Sequence, residues 1–173
     1  MGTVRCAERQ RSGGTSAHSV AASVTDPELP MLTLADLGVL RDVDETGGRV
    51  VVSITPTYSG CPAMDTMRDD LVHALTDAGY ADVEIRTVLH PAWTSDWISE
   101  HGRRALAAAG IAPPGPAPAG PVPLTLGRAR RGLTCPRCGS TDTEELSRFG
   151  ATACRALWRC RSCAEPFEHV KEI

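Results

Sequence analysis

Four cysteines near the end of the chain set the tightest limit on what it can fold into. Cys135, Cys138, Cys160 and Cys163 form two Cys-x-x-Cys pairs separated by 21 residues. A two-residue gap lets both sulfurs of a pair face one ion, and two such pairs complete a tetrahedron. A segment of about 40 residues buries too little surface to be stable alone, so bound metal is expected to hold it together. TEELSRFG and RALWRC read as its strands, with Phe149, Trp158 and Phe167 as packing residues. Arg137, Arg159 and Arg161 lie beside the ligands and offset the negative charge of four thiolates on a divalent ion. Structural Zn²⁺ is the expected occupant; iron and iron–sulfur clusters are the alternatives, since thiolate sites accept all of them. Cys154 is a fifth thiol in the same segment, read as a small buried residue, with an exchangeable ligand or a redox role as the alternatives.

The chain has seven cysteines, and five fall in its last 39 residues. An odd count with no apolar leader argues against a disulfide framework and for a reducing, cytoplasmic setting. No apolar run approaches the roughly 18 residues of a membrane span. Charge divides with the cysteines. Residues 1–127 carry 9 basic and 15 acidic side chains, net -6, and residues 128–173 carry 9 and 6, net +3. The acidic front half makes nucleic acid an unpromising partner, although GRARRG and the ribbon arginines could contact phosphates. Hydrophobic residues make up 42% and aromatics only 4%, so the core must come from aliphatic side chains.

The front half reads as a small domain. Residues 1–14 form a polar, Gly-containing tail expected to be disordered. TSAHSVAASV suits a short helix stopped by the prolines of TDPELP. GVLRDV and the β-branched RVVVSITPT suit two strands joined at Gly47 and Gly48. Met64, Met67, Leu71, Leu75 and Ala78 recur at helical spacing after Pro62. ADVEIRTVL suits a third strand, and Thr94 or Ser95 caps a last helix reaching Ala109. The fold class is therefore α+β: a small three-stranded mixed α/β domain over 15–110, a Pro-rich linker over 111–133 and a four-cysteine zinc ribbon over 134–173.

Cys61 stands between the best strand and the helix that follows it. Unpaired N–H groups and the positive end of the helix dipole favour a thiolate there. Such a sulfur attacks, binds metal or is oxidised; a buried structural cysteine is an equal reading of the spacing. His73 falls off the apolar helical face and reads as solvated, and His90 is a weak candidate partner for Cys61. Asp26, Glu28 and Asp36 are metal-ligand candidates, with turn and cap roles as the simpler reading. No Gly-rich phosphate loop, HExxH or GxSxG is present, so the chain is not expected to be catalytic alone.

TDPELPMLTLADLGVLRDV and TPTYSGCPAM, with its cysteine before proline, resemble the SufT-type iron–sulfur assembly family. TPTYSGCPAMD, EIRTVLHPAWTSDWISEHGR and CPRCGSTDTEELSRFGATACRALWRCRSC together resemble the PaaD (PaaJ) family of the phenylacetate pathway. The likeness spans about residues 20–173 apart from the spacer, which is long and proline-rich. It implies an accessory or maturation factor for the multicomponent phenylacetyl-CoA epoxidase, aiding iron–sulfur or di-iron centre assembly. The alternative it implies is a non-catalytic structural subunit of that oxygenase. It further implies that Cys61 is the reactive or cluster-transfer residue and that Asp26, Glu28 and Asp36 belong to the acidic entry motif. Cys135, Cys138, Cys160 and Cys163 would be the ribbon ligands. The implied cargo is a transient iron or iron–sulfur cluster. The implied partners are epoxidase subunits or their reductase, with a homodimer as a way for one cysteine to share a cluster.

Overall fold

The computed structural model describes residues 16–117, 120 and 132–173. The tail expected at 1–14 and most of the second half of the proline spacer lie outside these residues.

The front domain is built on one sheet. β1 (Leu40–Thr46) and β2 (Arg49–Ile54) form an antiparallel hairpin. Gly47 and Gly48 close it with φ of +62° and +88°, the left-handed pair that a tight two-residue hairpin turn requires. Burial alternates along β2, with Val50, Val52 and Ile54 fully buried and Val51 between them only partly so. α1 (Ala17–Ser23) precedes the hairpin and packs on β1. α2 (Met64–Asp77) carries the crossover that follows the hairpin and packs beside α1. It buries Met67, Leu71 and Leu75, the stripe that its spacing predicts. β3 (Asp82–Thr87) then pairs parallel to β2, with Val52 opposite Ile85.

The last helical segment departs from expectation. Instead of one helix from Thr94 to Ala109 there is a 3₁₀ turn, Ser95–Trp97, and then α3, Glu100–Ala108. Ser99 divides them: its Oγ accepts from the N–H of Gly102 at 2.9 Å, and its backbone is extended. A strong N-cap within the run starts a new helix rather than continuing the old one.

The ribbon is a second three-stranded antiparallel sheet of β4 (Thr143–Ser147), β5 (Arg155–Cys160) and β6 (Pro166–Val170), with β5 central. β6 is a third strand beyond the two that the sequence pattern predicts. Trp158 and Phe167 are buried as expected, but Phe149 is 69% exposed, with the Lys171 ammonium 4.7 Å from its ring centre. Phe149 therefore packs as a surface platform, not as core.

The two halves touch. Ala112 forms a parallel bridge to His169: its N–H donates to Glu168 O at 2.8 Å, and Val170 N–H donates back to Ala112 O at 3.1 Å. Gly115 N–H donates to Glu172 Oε1 at 3.0 Å and Ala117 N–H to Asp96 Oδ1 at 2.9 Å. The first part of the expected linker thus lies along the ribbon edge. Val170, from β6, joins the core of the front domain.

Candidate metal centre and thiol cavity

The ribbon cysteines converge at one end of the sheet. Cys135 and Cys160 are buried, Cys138 and Cys163 exposed, and all four sulfurs lie within 4.8 Å of one another. The separations Cys135–Cys163 of 3.9 Å and Cys138–Cys160 of 3.6 Å bracket the roughly 3.8 Å edge of a tetrahedron with metal–sulfur bonds of about 2.3 Å. Four thiols with this spacing fit a tetrahedral ion. Each knuckle turns through a left-handed residue, Gly139 at φ +75° and Ala164 at φ +62°. Backbone N–H groups of Cys163, then Ser162, point at the sulfur of Cys160 and draw its thiol down to about 6. That favours the thiolate, the form that binds metal.

The neighbouring arginines are already engaged. Arg159 and Arg161 both hold Glu144, at 2.6 and 2.9 Å, and Arg137 holds Glu165 at 3.1 Å. They still place positive charge beside the thiolates, but fewer free donors face solvent for phosphates.

Cys61 is the second centre. The helix after it begins at Met64, with Ala63 as N-cap, so Cys61 and Pro62 lie in the turn before it. Burial pushes the Cys61 thiol up; the Ala63 N–H opposes this, and the charges of Glu28, Cys154 and Asp26 push it further. Low dielectric and nearby carboxylates outweigh the helix end, so the neutral thiol is favoured, in keeping with the buried reading of this cysteine.

Cys61 lines a cavity of about 30 Å³. Its floor is apolar, with Leu29, Leu37, Met67, Trp93, Ile98 and Val170. Asp26, Glu28 and Thr57 join the wall from the front domain, and Cys154 and Arg155 close it from the ribbon. No local sequence signal brings Cys154 here, since it and Cys61 belong to different halves of the chain.

The three acidic residues have different settings. Asp26 is buried; its Oδ1 accepts from the N–H of Glu28 at 2.8 Å and of Leu29 at 2.7 Å. Burial nonetheless raises its carboxyl, with these two bonds and Arg155 opposing. Glu28 is half-buried and is also raised, first by burial and then by Asp26. Asp36 does not line the cavity. Its carboxylate accepts from Ser99 Oγ at 2.6 Å and Thr33 Oγ1 at 2.9 Å and pairs with His101 Nδ1 at 3.1 Å. Burial alone would push Asp36 up, but bonds from Ser99, Thr33 and His101 together bring it below its ordinary value. His73 and His90 are exposed and line no part of the cavity.

Among the described residues no helix is long and apolar enough to cross a membrane.

Comparison with known proteins follows this two-part anatomy. Residues 21–86 match the family described as iron-sulfur cluster assembly protein, and residues 119–171 match the PaaD zinc beta ribbon domain. The chain is 41% identical over 155 residues, covering 90% of each, to an Escherichia coli protein named for a subunit of 1,2-phenylacetyl-CoA epoxidase. Over 85 residues it is 35% identical to the Bacillus subtilis Fe-S protein maturation auxiliary factor YitW, covering 48% of this chain and 82% of that protein. The crystal structure of a DUF59 domain from Bacillus anthracis aligns with TM-score 0.49 and 27% identity, over 52% of this chain and 87% of that one. With both halves matched in order and one relative aligned along nearly the whole length, the chain belongs to the PaaD family, in which an iron–sulfur cluster assembly domain is joined to a zinc beta ribbon.

Proposed function

We propose that the chain is a cytoplasmic accessory factor that helps mature a multicomponent phenylacetyl-CoA epoxidase, handling iron or an iron–sulfur cluster through Cys61 while its ribbon, held by structural Zn²⁺, docks on an epoxidase subunit or reductase. The observation that carries this reading is the placement of Cys61. Its sulfur lines a small cavity beside Asp26 and Glu28 and is reached by the ribbon, not lost in a closed core. The relatives support the two halves of the reading separately: one is named for an epoxidase subunit, the other for Fe-S protein maturation.

The chemistry suits transfer more than storage. A neutral thiol in an apolar pocket binds metal only by giving up its proton, and nearby carboxylates favour a cation once it arrives. One sulfur alone does not hold a cluster, so a second chain or a client thiol shares it. Asp36 acts on this reading as a positioning residue, fixing α3 against the loop before β1. The experiment compares iron in the purified epoxidase and reductase from cells carrying the native chain or Cys61→Ala. A several-fold loss in the variant is expected; equal iron removes the carrier role.

The alternative is a non-catalytic structural subunit, favoured by the name of the 41% identical relative. A stoichiometric complex that survives purification supports it. A complex that dissociates once the metal centres are filled supports maturation.

A further inference from the structure

A cavity of about 520 Å³ opens on the ribbon and shares no lining residue with the Cys61 cavity. That volume falls within the roughly 300–1,000 Å³ range of binding clefts. Strand alternation places it. Ala156 and Trp158 of β5 face one side, and their ladder partners His169 and Glu145 face the same side. Leu133 joins Ala156 and Trp158 in an apolar floor, and the exposed Phe149 stands on the wall.

Two features of this wall lack partners. Trp158 is only 8% exposed, yet its indole N–H has no hydrogen-bond partner among the described residues. A buried indole N–H ordinarily has one. The other feature is charge. Arg137, Arg155, Arg159 and Arg161 each hold a carboxylate within 3.1 Å. Arg148 reaches Glu145 only at 3.9 Å with its side chain 88% exposed, and Lys171 has no ion pair among the described residues. Both of these cations line the cavity, and the Lys171 ammonium lies over the Phe149 ring. The wall's own carboxylates do not neutralise them. Glu172 is held by His169 and the Gly115 N–H, and Glu145 makes only that long, solvent-screened pair.

The open rim argues against a small free acid. Ligand pockets enclose most of what they bind, whereas Phe149 and Arg148 stand largely in solvent. Aromatic and arginine side chains over an apolar floor are the composition of protein interfaces. A nucleic acid would set phosphates against Glu145 and Glu172 and would meet an acidic front half. We propose that this ribbon cavity docks an acidic segment of a client protein, seating an aromatic side chain against Phe149 and Trp158 and a flanking carboxylate on Arg148 and Lys171. An oxygen of the same segment accepts from the Trp158 N–H. This names the surface behind the reading that the ribbon docks on a client, and it rests on that reading.

The test uses the full chain with its ribbon loaded with Zn²⁺ and two probes. The first is the purified epoxidase subunits and reductase, with affinity measured on immobilised native chain or variant. Phe149→Ala and Arg148→Glu are expected to weaken binding at least tenfold and Lys171→Gln several-fold. Arg104→Glu, the same charge change on α3, should leave it unchanged. Zinc retention reports that each variant's ribbon is folded. Binding by Phe149→Ala and Arg148→Glu equal to native overturns the proposal and leaves the docking reading standing, with another face as the interface. If the native chain binds none of these proteins, the docking reading fails and the second probe decides the cavity. That probe is the peptide acetyl-Asp-Phe-Glu-amide, followed by NMR of the indole N–H signals. The Trp158 signal is expected to shift to saturation, while Trp93, already bonded to the Leu37 carbonyl, stays put. Uncharged acetyl-Asn-Phe-Gln-amide should bind several-fold more weakly. Equal shifts from both peptides, or none from either, overturn the proposal. So does tighter binding of oligouridine, which makes the cavity a nucleic-acid site, or of benzoate, which makes it a small-acid site. A Trp158 signal that responds only to protein concentration, or only to replacement of residues 118–131, overturns it in favour of a second copy or of the chain's own spacer.

Discussion

At the scale of single residues, environment decides the chemistry of the same functional group. Cys160 and Cys61 are both cysteines beside tight turns. Backbone N–H groups aim at the first sulfur, whereas apolar walls and carboxylates surround the second, so their thiols move in opposite directions. Cys61 is therefore expected to react slowly with iodoacetamide near neutral pH. Its alkylation, followed by peptide mass spectrometry, should reach half-maximal rate above pH 9.0, its ordinary thiol value. A midpoint below that value refutes the burial argument. The linkage to folding runs the other way from a gain. A neutral thiol buried at a raised value costs nothing below its ordinary value, and stability falls as pH rises from there through the folded value, because the unfolded chain ionises first. The helix end does favour a thiolate at Cys61, but the cost of burial is larger.

At the scale of elements, the ribbon is two knuckles, each pinned by a left-handed residue. The first uses Gly139, which has no Cβ to clash; the second uses Ala164 at φ +62°. A non-glycine residue there costs about 1–2 kcal/mol, of which a glycine returns roughly half through its greater unfolded-state entropy. Ala164→Gly is expected to stabilise the zinc-loaded ribbon by up to about 1 kcal/mol in thermal unfolding; destabilisation would show that the Ala164 methyl is held by packing. Element boundaries were legible where a local signal was strong. A β-branched run marked β2, helical spacing marked α2 and the paired glycines marked the hairpin turn. β6 was not legible, because PFEHV is short and lies next to a knuckle, and its strand conformation comes from pairing with β5.

At the scale of the whole molecule, the halves are joined through residues 111–117 and the end of β6. Buried His169 is central to this seam: its Nδ1 lies 3.2 Å from Ala112 O and its Nε2 3.6 Å from Glu172. His169, together with the Gly115 N–H, draws the Glu172 carboxyl down to about 2 from 4.5, against the opposing effect of burial. A depressed carboxyl stabilises above its unfolded value and ceases to do so as pH falls through the folded one. The seam should therefore weaken between pH 4.5 and about 2. Glu172→Gln is expected to remove that part of the acid sensitivity, read as the difference between native and variant unfolding midpoints at each pH. Parallel acid curves for the two chains would show that Glu172 does not couple the seam to pH.

The sequence alone pointed to the four ribbon cysteines, the sheet-and-helix order of the front domain and Cys61, because each is written in local spacing: two-residue gaps, a β-branched run, helical stripes and a cysteine before proline. Tertiary structure alone decided that Asp36 belongs to a capping network with Ser99 and His101, that Phe149 faces solvent, and that Cys154 meets Cys61 across one cavity. These are settings made by residues far apart in the chain. The Asp36 network depends on how α3 packs within the front domain, and the shared cavity on how the two sheets meet; no pattern of neighbouring residues encodes either.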